Sequence, residues 1–172
     1  SILLSTAGKL KFKGNNSVIY NTNGQVTEGI LYDDTYLWTG RRLVRFSRNQ
    51  SVRFNNTGHV ISGYLAEITP LWTALQSYTF RRNSYVVFNH EGALLQGELS
   101  RDTELQVNGR MVEFARSWPV YFNHEGRLVG GTITKKEQFI DNQGKPENYK
   151  SGTTVFFNEK WEVISAKENE KE

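Results

Sequence analysis

The chain has 172 residues, 37% of them hydrophobic and 13% aromatic, with a formal net charge of +3; this is enough apolar material for a core, and the charge is too mild to imply a nucleic-acid partner. It contains no cysteine, which excludes disulfides, thiolate metal sites and a cysteine nucleophile. No apolar run approaches the roughly 18 residues that a membrane-spanning helix needs.

The chain opens with Ser1-Ile2-Leu3-Leu4, too short an apolar run for a signal-peptide core. Beginning at Ser, it reads as a processed or trimmed piece of a longer protein. Lys9-Leu10-Lys11-Phe12 then alternates polar and apolar as a half-buried strand does. Next comes Val18-Ile19-Tyr20-Asn21-Thr22-Asn23-Gly24, followed by Gly29 and Leu31. The same pattern returns at even spacing, as Val52 to Gly58 with Gly63 and Leu65, as Val86 to Gly92 with Gly97 and Leu99, and as Val120 to Gly126 with Gly131 and Ile133. The last copy, one position later than that spacing, is Val155-Phe156-Phe157-Asn158, with Trp161 where the first glycine stood and Ala166 where the second did. A fixed period, here about 34 residues, marks a repeat protein.

Turn chemistry gives each copy its local form. Asn21, Asn55, Asn89 and Asn123 can each bond their own backbone two residues on, and Gly24, Gly58, Gly92 and Gly126 accept positive φ. The combination predicts a type I turn closed by a left-handed residue, the three-residue hairpin loop with a G1 bulge. It sets Tyr20 opposite Val26, Phe54 opposite Val60, Phe88 opposite Leu94, Phe122 opposite Leu128 and Phe157 opposite Val163. With Trp161 in place of glycine, the fifth turn is expected to be built differently.

Between these hairpins lies a second recurring half, marked by Leu3 and Phe12, Leu37 and Phe46, Leu71 and Phe80, Leu105 and Phe114, and Phe139 and Tyr149. Asn108-Gly109 is a turn signal within it, and the divergent stretch from Thr69 to Arg81 has room for a helical turn at 72–76. Asp34-Thr35 and Asp102-Thr103 read as bend residues that cap backbone groups. The units fall at about 1–34, 35–68, 69–102, 103–136 and 137–166, with a charged tail at 167–172 expected to fray. The reading is an all-β chain of five double-hairpin repeats forming an open, twisted antiparallel sheet array. A five-bladed propeller is the alternative, but its blades run nearer about 40–45 residues, and the atypical last copy suits an open end. A stacked solenoid would need parallel pairing, which hairpin turns do not supply.

An aromatic residue, a short Asn–Gly turn, a Val or Leu and a further Gly, as in Phe88-Asn89-His90-Glu91-Gly92 through Leu94 and Gly97, resemble the hairpin repeats of MORN-type proteins. Period and turn are also similar to bacterial WG-type β-repeats. The likeness spans almost the whole chain, although MORN units are shorter and no Trp-Gly dipeptide occurs. It implies scaffolding and binding rather than catalysis, and for MORN arrays a link with membrane lipids; no functional residue carries over.

Chemistry-bearing residues are sparse. His90 and His124 share one turn position, but in a side-by-side array they would stand about four strands, roughly 19 Å, apart, too far to share a metal. No carboxylate pair, nucleophile motif or phosphate loop is apparent, so neither an enzyme nor a cofactor is expected. Aromatic residues are the better signal. Trp38 and Trp72 occupy equivalent positions, and Tyr36 and Trp118 add to them; such platforms bind by stacking and apolar contact. The cations from Lys9 to Arg82 form a candidate basic strip, or simply protect sheet edges.

The sequence thus points to a non-catalytic repeat module for protein–protein interaction or scaffolding, part of a larger bacterial protein. A carbohydrate-binding module is the alternative, and attachment to a membrane surface the weaker one. A bacterial cell surface or secreted location is favoured over the cytoplasm.

Overall fold

The structure is a computed structural model that describes residues 4–5 and 8–169. Leu3 and residues 170–172 of the expected tail lie outside the described residues. The chain alternates two kinds of hairpin, here called cover and sheet hairpins. The first cover hairpin is β1 (Leu4–Ser5) and β2 (Gly8–Lys9), and the first sheet hairpin is β3 (Ile19–Tyr20) and β4 (Val26–Ile30). Cover strands β5 (Thr35–Trp38) and β6 (Leu43–Phe46) precede sheet strands β7 (Ser51–Phe54) and β8 (Val60–Tyr64). The third unit has β9 (Thr69–Trp72) and β10 (Ser77–Phe80), then β11 (Tyr85–Phe88) and β12 (Leu94–Glu98). The fourth has β13 (Thr103–Val107) and β14 (Arg110–Phe114), then β15 (Pro119–Phe122) and β16 (Leu128–Thr132). The fifth has β17 (Glu137–Asp141) and β18 (Pro146–Tyr149), then β19 (Thr153–Phe157) and β20 (Glu162–Glu168).

The sheet hairpins join edge to edge into one open antiparallel sheet, in the order β20-β19-β16-β15-β12-β11-β8-β7-β4-β3. Beyond β20 the last cover hairpin adds β17, by a short parallel pairing of Ile140 with Glu162 and Asp141 with Val163, and then β18. The fold class is the expected one: all-β, repeated and open. The layering differs from a single row of hairpins, because β5/β6, β9/β10 and β13/β14 are separate two-stranded ribbons that form a second layer. Each is tied to the sheet by a bridge, Phe46 with Leu65, Phe80 with Leu99 and Phe114 with Ile133.

Alternation decides this arrangement. Val52, Phe54, Val86, Phe88, Val120 and Phe122 are buried on one sheet face, while Arg53, Val87 and Tyr121 between them are not. Leu37, Val44, Leu71, Leu105 and Val112 of the cover hairpins join them in one apolar core. A two-stranded hairpin is at best marginally stable alone, so each ribbon is held by burying its apolar face against the sheet.

The turns follow their sequence. Asn89 N–H donates to Ala93 O at 2.8 Å, Gly92 N–H to Asn89 O at 3.0 Å, and the Asn89 carboxamide oxygen accepts from the Glu91 and Ala93 amides. Register shifts at Phe54, Phe88 and Phe122 mark the bulges, and the five cross-strand pairs occur as expected.

Three expectations are corrected. The fifth turn is built like the others: Asn158 accepts from the Lys160 and Glu162 amides, and Trp161 takes φ 63. The indole there packs edge-on to Phe157 at 5.8 Å and under the Arg127 guanidinium at 3.7 Å, contacts that offset the left-handed strain. No helical turn forms at 72–76, because the Thr73 hydroxyl accepts from the Leu75 and Gln76 amides and closes a β-turn. The tail is ordered beyond residue 166, since Lys167 and Glu168 pair with Thr154 and Thr153 in β20.

Candidate functional site: clefts between the cover hairpins

Asp34 and Asp102 accept from the backbone amides of Arg48 and Arg116 at 2.8 Å, capping backbone groups at the base of hairpins β5/β6 and β13/β14 as the Asp-Thr pairs suggested. The free end of a cover hairpin reaches a sheet turn of the following unit. A Cβ on Gly92 would stand 2.5 Å from Thr39 O, and one on Gly126 would stand 2.6 Å from the Leu75 amide nitrogen. Neighbouring cover hairpins are cross-linked by side chain to backbone, with Arg42 Nη1 donating to Pro70 O at 2.7 Å and Arg110 Nη2 to Gln138 O at 2.8 Å. A cleft lies between each such pair of hairpins and the turn below them.

Two of these clefts are related by the repeat. The first, about 320 Å³, is bounded by Arg41, Arg42, Leu71, Trp72, Phe88 and Gly92. The second, about 190 Å³, has Arg110, Phe139, Ile140 and Trp161 at the equivalent places. In the second cleft Arg110 pairs with Glu137 at 2.6 Å and lies 5.0 Å from the Phe139 ring centroid, and the Trp161 indole occupies the wall. In the first cleft Thr69 stands at the position of Glu137, and Gly92 at that of Trp161. Among the described residues no carboxylate lies within ion-pair distance of Arg41 or Arg42. Arg41 instead donates to Glu91 O and Thr73 O, both at 3.2 Å. These carbonyls hold the guanidinium in place without neutralising it.

The structure brings three of the four expected aromatic residues onto one surface. Tyr36, Trp38 and Trp72 lie on the outward face of adjacent cover hairpins, 49%, 44% and 54% exposed, joined by Leu43 and, further along, Met111 and Ile140. Trp118 is not among them: it precedes β15 at the end of the sheet strands away from the Asn–Gly turns. The eight turn residues Asn21, Gly24, Asn55, Gly58, Asn89, Gly92, Asn123 and Gly126 close the sheet hairpins, and of them Gly92 lines the first cleft. The basic strip is divided. Arg45 pairs with Asp34 and Glu67 on the cover layer, whereas Arg53 pairs with Glu28 and Arg81 with Glu98 on the sheet.

The outer sheet face carries a second aromatic group, with Tyr64 against Tyr85 and Tyr121 against Phe156, both at 5.1 Å. Burial there raises the pKa of Glu98 above its ordinary value, with Arg81 opposing, and raises that of Tyr121, to which Glu98 adds. His90 and His124 sit two strands apart in the sheet, roughly 10 Å at about 4.8 Å per strand, rather than four. Among the described residues no group of three histidine or carboxylate side chains could hold a metal ion.

Sequence reasoning places Arg41 and Arg42 only in the candidate basic strip and misses the cleft that they line. Their cleft exists because a hairpin end meets a turn of the next unit, and neither local spacing nor the repeat period records that meeting. The chain matches no family model, no curated protein and no solved structure.

Proposed function

We propose that this chain is a non-catalytic interaction module that holds a protein partner against the outward face of its cover hairpins. The observation carrying this reading is the continuous set of exposed apolar side chains Tyr36, Trp38, Leu43 and Trp72 on hairpins that are bonded to one another. Large apolar side chains gathered on one face of a rigid support mark interaction surfaces, whereas the same residues scattered singly do not. The motif-level resemblance to MORN-type and WG-type repeats points the same way, toward scaffolding. Affinity capture from cell extract with the intact chain and with the Trp38→Ala/Trp72→Ala double variant tests it. A defined partner retained by the first and released by the second is the expected result; identical retention by both, with both folded, would overturn it.

Carbohydrate binding is the second reading, favoured by the two equivalent, exposed indoles. Sugar hydroxyls donate as well as accept, and the cleft beside Trp72 offers no side-chain carboxylate or carboxamide to receive them. That lining favours the protein reading. Tryptophan-fluorescence titration against a glycan panel separates the two, since saturable quenching abolished by Trp38→Ala belongs to the sugar reading alone.

A further inference from the structure

We infer that the cleft between the first two fully described cover hairpins is a recognition site for an acidic peptide segment, one in which a carboxylate stands beside an aromatic or branched apolar side chain. The inference rests on the interaction reading above and names the chemistry of the partner at that surface.

Comparison of the repeat-related clefts carries the argument. Arg42 and Arg110 are anchored alike, through a carbonyl of the next hairpin, Pro70 O in one case and Gln138 O in the other. Arg110 is then neutralised internally by Glu137, and Trp161 forms a wall of its cleft, whereas Gly92, at the equivalent turn position, brings no side chain into the first cleft. Thr69 supplies no such carboxylate to Arg42, and Arg41 adds a second guanidinium held by two carbonyls. A guanidinium with spare N–H donors and no internal acid is suited to a carboxylate from outside, and charge-assisted pairs of that kind are the stronger hydrogen bonds.

The rest of the lining selects what accompanies the charge. Leu71 and Phe88 form an apolar floor and Trp72 an exposed wall. Thr39 is buried and its hydroxyl donates inward to Arg42 O at 3.2 Å, so the exposed lining side chains present donors and hydrocarbon. A peptide acid with an apolar neighbour satisfies both, whereas a polyol leaves its own donors unmet. Because the guanidiniums are already held by backbone carbonyls, binding immobilises less side chain than a free arginine pair would require.

The test is selection of the intact, labelled chain on an immobilised random hexapeptide library, with repeats at low and high salt. Wild-type binders are expected to be enriched in Asp or Glu next to Phe, Leu, Ile or Trp, and to be weakened by salt. Arg42→Gln should weaken those binders about tenfold. Thr69→Glu, which installs beside Arg42 the carboxylate that Arg110 already has, should weaken them similarly while leaving both arginines in place. Arg45→Gln, on a cation already paired with two acids, should leave them unchanged, and circular dichroism confirms that each variant is folded. Binders without acidic residues, or acidic binders indifferent to both Arg42→Gln and Thr69→Glu, would overturn the acidic-peptide inference and leave the interaction reading standing if Trp72→Ala still releases them. Retention of no peptide at all would also overturn it, while protein capture through Trp38 and Trp72 remains the separate check on the interaction reading.

Discussion

Single backbone positions carry much of this design. Gly24 and Gly92 hold the same left-handed conformation, φ 75 and 79, but a Cβ on Gly24 meets nothing within 4 Å while one on Gly92 meets Thr39 O at 2.5 Å. Left-handed strain of about 1–2 kcal/mol is thus common to both, and overpacking of about 1–3 kcal/mol is added only at Gly92. Urea melts should therefore find Gly92→Ala more destabilising than Gly24→Ala by roughly the second amount, with His90→Ala in the same turn costing under about 0.5 kcal/mol. Equal losses at the two glycines would mean that the cover hairpin does not press on the turn. Trp161 poses the converse case. Trp161→Ala keeps φ near 63 without its ring contacts, whereas Trp161→Gly loses the ring but also the strain. The Gly variant should therefore be more stable than the Ala variant by about 1 kcal/mol. The opposite order in thermal melts would rule out a left-handed residue there.

At the scale of the element, the second recurrent glycine explains how a cover hairpin docks. A Cβ on Gly63, Gly97 or Gly131 would stand 2.6 to 2.7 Å from the ring of Phe46, Phe80 or Phe114, and each of those rings is wholly buried. The ring packs against a bare stretch of β-backbone at the glycine, and that contact joins the two layers. Gly97→Ala is expected to cost about 1–3 kcal/mol by overpacking. Adding Phe80→Leu should recover part of that loss, because the two positions share one volume and couple in a double-mutant cycle. Strict additivity in denaturant unfolding would separate the pair. In the fifth unit Ala166 replaces the glycine, and Tyr149 is only partly buried, 5.9 Å from the Phe139 ring.

For the whole molecule the consequence is a gradient. Each sheet hairpin pairs with its neighbours, and each ribbon of the cover layer contacts the sheet strands, turns and cover hairpins of its own and adjacent units, so stability is a sum of nearest-neighbour terms. Strands β8 and β11 are paired on both sides, whereas β3 and β18 end the strand order. Native-state hydrogen exchange should be slowest at amides of β8, β11 and β12 and fastest in β3 and β18. Uniform protection along the chain would instead indicate one global opening. The outward face of the cover layer shares this order, since the cleft at Arg41 and Arg42 belongs to the interior of the array rather than to an end.

What could be read from the residues alone was local. Asn and Gly at fixed spacing dictate a turn, the turn dictates the register, and the register pairs Phe88 with Leu94, so the hairpins, their period and the all-β class were legible without coordinates. Trp161 misleads because its place in the turn suits glycine, yet cation–π and edge contacts with Arg127 and Phe157 hold an indole there. The separation into two layers was not legible, because it depends on Phe46, Phe80 and Phe114 finding Gly63, Gly97 and Gly131 in the sheet hairpin that follows each of them. The cleft was less legible still. Arg42 differs from Arg110 through Thr69 in place of Glu137, Gly92 in place of Trp161 and a neighbouring Arg41 in place of Gly109, and those partners meet only when hairpins from different units are packed side by side.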